Sequence, residues 1–276
     1  MTEDELEIKK FEEHKRAEEK RQKAEALLLE QTRPLHLSLF EGLEESVCND
    51  ISRRQRNKLN VGHVSSLSYA ECSYDTLFQL IGTLHRIGLE DSSEGTFVDL
   101  GSGIGKVVFG ALLCHNFSSC VGIEILSDLH SVAVSLQEIW EAEYLDKITR
   151  KQRDTIIKFI RGDCCHVDWS YGDVVLVNST CFDDKMFAAI TKLAWELKSG
   201  AYIVSLSKKL PERESTDYFH LIDSSRMQMS WGACSVYFYR RNQTPRPSYI
   251  EDIHQYVGHI IQTGALPLRE YDPDTH

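Results

Sequence analysis

No two cysteines of this chain form a C-x-x-C pair, although eight are present: Cys48, Cys72, Cys114, Cys120, Cys164, Cys165, Cys181 and Cys234. Spacing this scattered yields neither a zinc framework nor a disulfide pattern, and it points to an intracellular, reducing setting. Eleven histidines include no H-E-x-x-H or related grouping, so no metal is expected. Long apolar runs are missing too: none approaches eighteen residues, and the opening MTEDELEIKK has no apolar stretch of a signal peptide. No membrane association is therefore expected. Positive charge is in short supply, with 31 Lys and Arg against 42 Asp and Glu and a net charge of −11. An acidic polymer is a poor principal partner for such a chain; a basic protein suits it better. Proline is rare, and four of the six lie after Asn242, which marks residues 243–276 as a peripheral tail.

What is abundant comes first at the N-terminus. Residues 2–30 carry acids and bases three and four apart with a thin apolar stripe at Leu6, Phe11, Ala17, Leu27 and Leu28. This is the pattern of a solvated helix, or of a helix offered to a coiled-coil partner. An irregular region follows, with Arg53, Arg54, Arg56 and Lys58 close together in ISRRQRNKL. That tract fits a phosphate or acid contact as well as it fits a solvated helix face. Together residues 1–62 form a charged helical extension.

From Tyr69 the apolar spacing of Leu77, Leu80, Ile81, Leu84 and Ile87 predicts a helix closed by Gly88. Strand patterns then recur in TFVDLG, CVGIEI, IKFIRGD, VVLVNST and AYIVSLS, with helical patterns over 105–115, 127–143 and 183–198. Alternation of this kind predicts an α/β fold with a doubly wound, mostly parallel sheet. The last two strands, YFHLIDSSRMQM and CSVYFYRR, are separated by a turn and leave no room for a crossover helix. They predict an antiparallel C-terminal hairpin. The expectation is a Rossmann-like seven-stranded domain over 63–242.

The chemistry centres on FVDLGSGIGKVV. Gly101, Gly103 and Gly105 are spaced G-x-G-x-G rather than G-x-G-x-x-G, which departs from the dinucleotide fingerprint. Lys106 is followed by Val107, so the hydroxyl that a P-loop uses for its metal is missing. What remains is bare backbone that a ligand can approach closely, with Asp99 beside it. Glu124 ends the next strand, where an acid can accept from both ribose hydroxyls and repel a sugar phosphate. Asp163 ends the third strand, placed to accept from an adenine amino group. A nucleoside with no pyrophosphate and a cationic end satisfies this set, and S-adenosylmethionine has that composition.

FVDLGSGIGKVV, followed by VGIE, GD, VNSTCF and a hairpin bearing MSWG, resembles the class I S-adenosylmethionine-dependent methyltransferases. More narrowly, the chain resembles the disruptor-of-telomeric-silencing family, the non-SET histone lysine methyltransferases. Tyr69-Ala70-Glu71 stands where that family has Y-G-E. The resemblance implies cofactor contacts from Tyr69, Glu71, Asp99, Gly101, Gly103, Glu124, Asp163, Cys164 and Asn178. It also implies that Phe182, Trp231 and Tyr237 surround the acceptor channel, with Asn178, Ser179 and Tyr237 at the reacting groups. Asn178 is expected to accept from the incoming amine; Ser179 replaces the family's second asparagine. The implied substrate is a lysine of a basic protein, a histone in a nucleosome, with nucleic acid met only through that particle and the nucleus as location. A cofactor-binding scaffold and a small-molecule methyltransferase are the alternatives.

Overall fold

The structure is a computed structural model, and it describes residues 3–60, 67, 69–90 and 95–245. Three helices precede the first strand: α1 (Glu3–Leu39), α2 (Glu45–Lys58) and α3 (Tyr74–Arg86). The alternating part contains β1 (Thr96–Leu100), α4 (Lys106–Cys114), β2 (Ser119–Glu124), α5 (Ser127–Glu143), α6 (Arg150–Arg153) and β3 (Ile156–Arg161). It continues with β4 (Val174–Asn178), α7 (Asp184–Leu193), β5 (Tyr202–Leu206), α8 (Glu212–Ser215), β6 (Phe219–Met229) and β7 (Gly232–Arg241).

The seven strands form one sheet in the order β3-β2-β1-β4-β5-β7-β6. The first five run parallel, whereas β7 pairs antiparallel with both β5 and β6. This is the Rossmann-like sheet with a terminal hairpin that the alternation and the short MSWG turn predict. The order reverses between β1 and β4, and a crevice opens outside the carboxyl ends of strands at such a switch point.

Alternate residues of each strand feed two separate cores. Phe97, Leu176, Val204 and Phe238 pack with α3, α4 and α5, while Val98, Val175, Ile203 and Tyr239 pack with α7 on the other face. In α3 the periodic Leu77, Leu80, Ile81 and Leu84 are all buried, each worth about 1.5–3 kcal/mol of apolar transfer. Ser73 caps that helix by accepting from the Thr76 N–H at 3.2 Å. Gly110 lets α3 approach α4 closely, since a Cβ there would stand 2.5 Å from Leu77 Cδ2.

The N-terminal region differs from the sequence expectation. The stretch holding Arg53 to Lys58 is not irregular but the second half of α2. Residue 62 also fails to separate two cores, because Leu39, Phe40 and Cys48 are buried in the same cluster as α3, α4 and α5. Local polarity hides this packing: α2 spends its few buried positions on Cys48, Ser52 and Gln55, which carry little hydrophobic signal. The tail expected beyond residue 245 lies outside the described residues.

Candidate active site

The carboxyl ends of β1, β2 and β4 bring the glycine loop and its flanking acids together. As β1 ends, Gly101 and Ser102 both donate to the Ile123 carbonyl, at 2.9 and 3.0 Å. The chain then turns through positive φ at Gly101 (84°) and Gly103 (54°), where an L side chain is strained. A Cβ on Gly101 would meet nothing within 4 Å. The loop thus presents open backbone on that side.

Glu124 closes β2 under this loop. Its Oε2 accepts from the Gly103 N–H and its Oε1 from the Leu126 N–H, both at 2.8 Å. Burial raises its pKa, and the bonds from Leu126 and Gly103 oppose the rise. Each oxygen of a carboxylate has a second lone pair, so Glu124 can still take two hydroxyl donors. Asp99 is buried beside it, and among the described residues no hydrogen bond reaches its carboxylate. Desolvation, reinforced by the charge of Glu124, lifts Asp99 from 3.8 to about 7. Two buried acids next to exposed backbone suit a ligand bringing hydroxyls and a positive charge. A pyrophosphate would meet repulsion here. The donor set therefore fits S-adenosylmethionine.

At the end of β3, Asp163 Oδ1 accepts from the Cys165 N–H at 2.8 Å, and Oδ2 lies 3.2 Å from His166 Nδ1. Burial pushes the Asp163 pKa upward, but the bonds from His166 and Cys165 outweigh it and hold the carboxyl below its usual range. The Oδ and Sγ atoms of Asp163, Cys164 and Cys165 lie within 4.8 Å of one another. The Cys164 thiol, hydrogen-bonded to Cys165 and buried, is pushed well up and stays protonated, as befits a pocket wall.

Tyr69 and Glu71 reach the loop from the other side. A Cβ on Gly103 would fall 2.5 Å from Tyr69 Cε2, so the tyrosine ring lies directly on the bare backbone. Its hydroxyl donates to Glu71 Oε1 at 2.9 Å.

The expected acceptor side is rearranged in three respects. Asn178 caps the short turn Ser179–Cys181: its Oδ1 accepts from Thr180 Oγ1 at 2.7 Å and from the Thr180 N–H at 3.3 Å. Both lone pairs are engaged, so this oxygen cannot also accept from an incoming amine; only the amide N–H donors are left. Ser179 is fully buried and donates to the Leu206 carbonyl at 2.5 Å. It locks β4 to β5 and cannot touch a substrate, which corrects the catalytic role expected for it. The three aromatics also do not form one wall. Phe182 and Tyr237 belong to the core face that packs on α7, whereas Trp231 packs on the opposite face with α3 and α4. Its side of the hairpin turn meets the Tyr69–Glu71 segment instead, through Ser230 Oγ donating to the Glu71 carbonyl at 3.1 Å.

Sequence reasoning missed what α2 and Lys106 do. Gln55 donates to Ser127 Oγ at 2.7 Å and accepts from the Asp128 N–H at 2.9 Å, which docks α2 on the β2–α5 junction just beyond Glu124. The basic tract therefore borders the site instead of lying apart from it. Arg53, Arg54 and Lys58 are exposed, while Arg56 is half-buried and close enough to Cys181 to oppose the upward push of burial on that thiol. Gln55 gave no signal, being one polar residue in a polar stretch. Lys106 was visible only as a failed P-loop lysine.

A family model described as Histone methylation protein DOT1 matches residues 51–239. The Histone-lysine N-methyltransferase, H3 lysine-79 specific, of Eremothecium gossypii is 32% identical over 118 residues, covering 42% of this chain and 20% of that protein. The protein of the same description from Drosophila melanogaster is 23% identical over 232 residues, covering 75% of this chain and 12% of that protein. The chain thus matches a fifth or less of the length of these two relatives. Among solved structures, TrmN from Thermus thermophilus has 15% identity and a TM-score of 0.46, covering 69% of this chain and 53% of that one.

Proposed function

The chain belongs to the DOT1 histone methylation family, and from that premise we propose that it is an S-adenosylmethionine-dependent protein-lysine methyltransferase acting on a histone. The observation that carries the reading is the Glu124 carboxylate, fixed by Gly103 and Leu126 beside the buried Asp99 and open Gly101. Glu124 would hold the ribose hydroxyls. Asp99, Gly101 and Gly103 would border the amino-acid end, with Tyr69 above, and Asp163 and Cys164 would line the adenine. When bound, S-adenosylmethionine supplies an electrophilic methyl group, and much of the rate in such transfers comes from holding the reactants in line.

On the acceptor side, a free lysine with a pKa of about 10.4 is neutral only about once in a thousand molecules near pH 7. Phe182 and Tyr237 provide apolar surface that disfavours the ammonium. With its oxygen committed to Thr180, Asn178 serves as a hydrogen-bond donor, and a donor suits the cofactor better than the amine. The histone identity rests on the names of the relatives, since both are described as specific for H3 lysine 79.

A second reading, cofactor binding without transfer, draws support from the buried Ser179 and the committed Asn178 oxygen. Calorimetry tests the common core of both: S-adenosylhomocysteine should bind at one site and NAD should give no heat. Binding of NAD with none of S-adenosylhomocysteine would overturn the cofactor assignment.

A further inference from the structure

Lys106 is left over from the glycine motif, and it occupies an electrostatically unfavourable place. It opens α4, and no acid of that first turn accompanies it; the helix dipole disfavours a cation there. Even so, its side chain is largely withdrawn from water, as is that of Glu71, each with 14% exposure. Nζ donates to Glu71 Oε1 at 2.6 Å and to the Leu43 carbonyl at 2.7 Å, and it stands 5.7 Å from the centroid of the Phe40 ring. The backbone carbonyl of the same residue accepts from His36 Nε2 at 2.8 Å. One lysine therefore ties the end of α1, the α1–α2 turn and the Tyr69–Glu71 segment to the start of α4.

We propose that Lys106 is a positioning residue, whose ammonium latches the Tyr69–Glu71 segment shut over the glycine loop and thereby sets how long the cofactor stays. This rests on the cofactor reading above. The chain of contacts is short. Lys106 fixes Glu71 Oε1, the same oxygen accepts from the Tyr69 hydroxyl, and the Tyr69 ring covers Gly103. Ser230 holds the Glu71 carbonyl from the hairpin side, so the segment is pinned at both its backbone and its carboxylate. Opening the segment requires parting a shielded, charge-assisted pair, which is slow compared with parting an exposed one.

The test uses the full chain with Glu71→Gln, Lys106→Met and the double variant. Glu71→Gln discriminates best, because it removes the charge from the latch while leaving Lys106 on Leu43. Hydrogen exchange of the 69–72 amides should accelerate about tenfold in both single variants, the scale of one lost charge-assisted hydrogen bond. S-adenosylhomocysteine should dissociate faster by a similar factor. The double variant should show no more than either single change, since one contact can be lost only once. Wild-type exchange and dissociation rates in Glu71→Gln, with only Lys106→Met losing thermal stability, would reduce Lys106 to a structural tie to Leu43. Should the wild type fail to bind S-adenosylhomocysteine, the function proposed above falls, and the exchange measurement alone still decides on the latch.

Discussion

Replacing Asp99 with asparagine should make the ligand-free protein more stable at alkaline pH while damaging ligand binding. The group is buried, and its folded pKa of about 7 stands above the reference 3.8. A carboxyl raised in this way binds its proton more tightly folded than unfolded. Its contribution is therefore fully present below 3.8 and is lost as pH rises through about 7. The interval corresponds to about 4 kcal/mol at 1.36 kcal/mol per pKa unit, an upper figure for a buried group beside Glu124. Asparagine has nearly the same shape and no charge to desolvate. Denaturant unfolding at pH 4 should find wild type and Asp99→Asn alike. At pH 8 the variant should be the more stable by about 2–4 kcal/mol. The same substitution should weaken S-adenosylhomocysteine binding by about 1.5–3 kcal/mol, through loss of a charge-assisted contact to the ligand's amino-acid end. Wild-type affinity should rise with pH up to about 7 and then level off, with a proton released on binding below that pH. A variant that is less stable than wild type at pH 8, or whose affinity is unchanged, would refute the placement of Asp99 as a buried acid waiting for a cation.

Three further outcomes are expected. Glu124→Ala should weaken S-adenosylmethionine binding by about 1–3 kcal/mol in calorimetry, and it should lower the melting temperature because the Gly103 and Leu126 amides lose their acceptor; unchanged affinity would remove the ribose assignment. Asn178→Ala should reduce cofactor affinity and turnover together and lose about 1 kcal/mol of stability with the cap on Thr180, whereas a fall in turnover alone would return the residue to the acceptor amine. Alanine at Arg53, Arg54 and Lys58 should weaken nucleosome binding and flatten its salt dependence, by up to about 0.9 in log–log slope per lost phosphate contact, while activity on a short peptide stays level; an unchanged slope would make this face of α2 merely solvated.

How far the sequence carried depends on where its signals lie. The sheet was legible because buried parallel strands are short apolar runs and their crossovers have helical spacing; Phe97 to Leu100 and Val174 to Val177 are of this kind. The hairpin was legible from the lack of room for a helix between Met229 and Cys234. Strand-end acids and the glycine loop were readable as a ligand edge because glycine and buried carboxylates are rarely placed there for stability alone. The acceptor side was not readable. Whether Ser179 faces a substrate or β5 depends on one turn of backbone after β4, and Asn178 is claimed by a neighbour two residues away. The separation of Trp231 from Phe182 follows from the sheet face each one occupies, which side-chain type does not encode. The packing of α2 on the site depends on Gln55 hydrogen bonds that have no periodic signature.

The central claim is methyl transfer from a cofactor held at this edge, and labelled-methyl incorporation tests it most directly. Wild type and Glu124→Ala would be incubated with S-adenosylmethionine carrying a labelled methyl group and, in parallel, reconstituted nucleosomes, free histones and a metabolite extract. The account predicts label on a histone lysine with wild type, and a marked loss of that label with Glu124→Ala. Label appearing only in the small-molecule fraction, or no transfer to any acceptor by a wild-type protein that binds the cofactor, would contradict it.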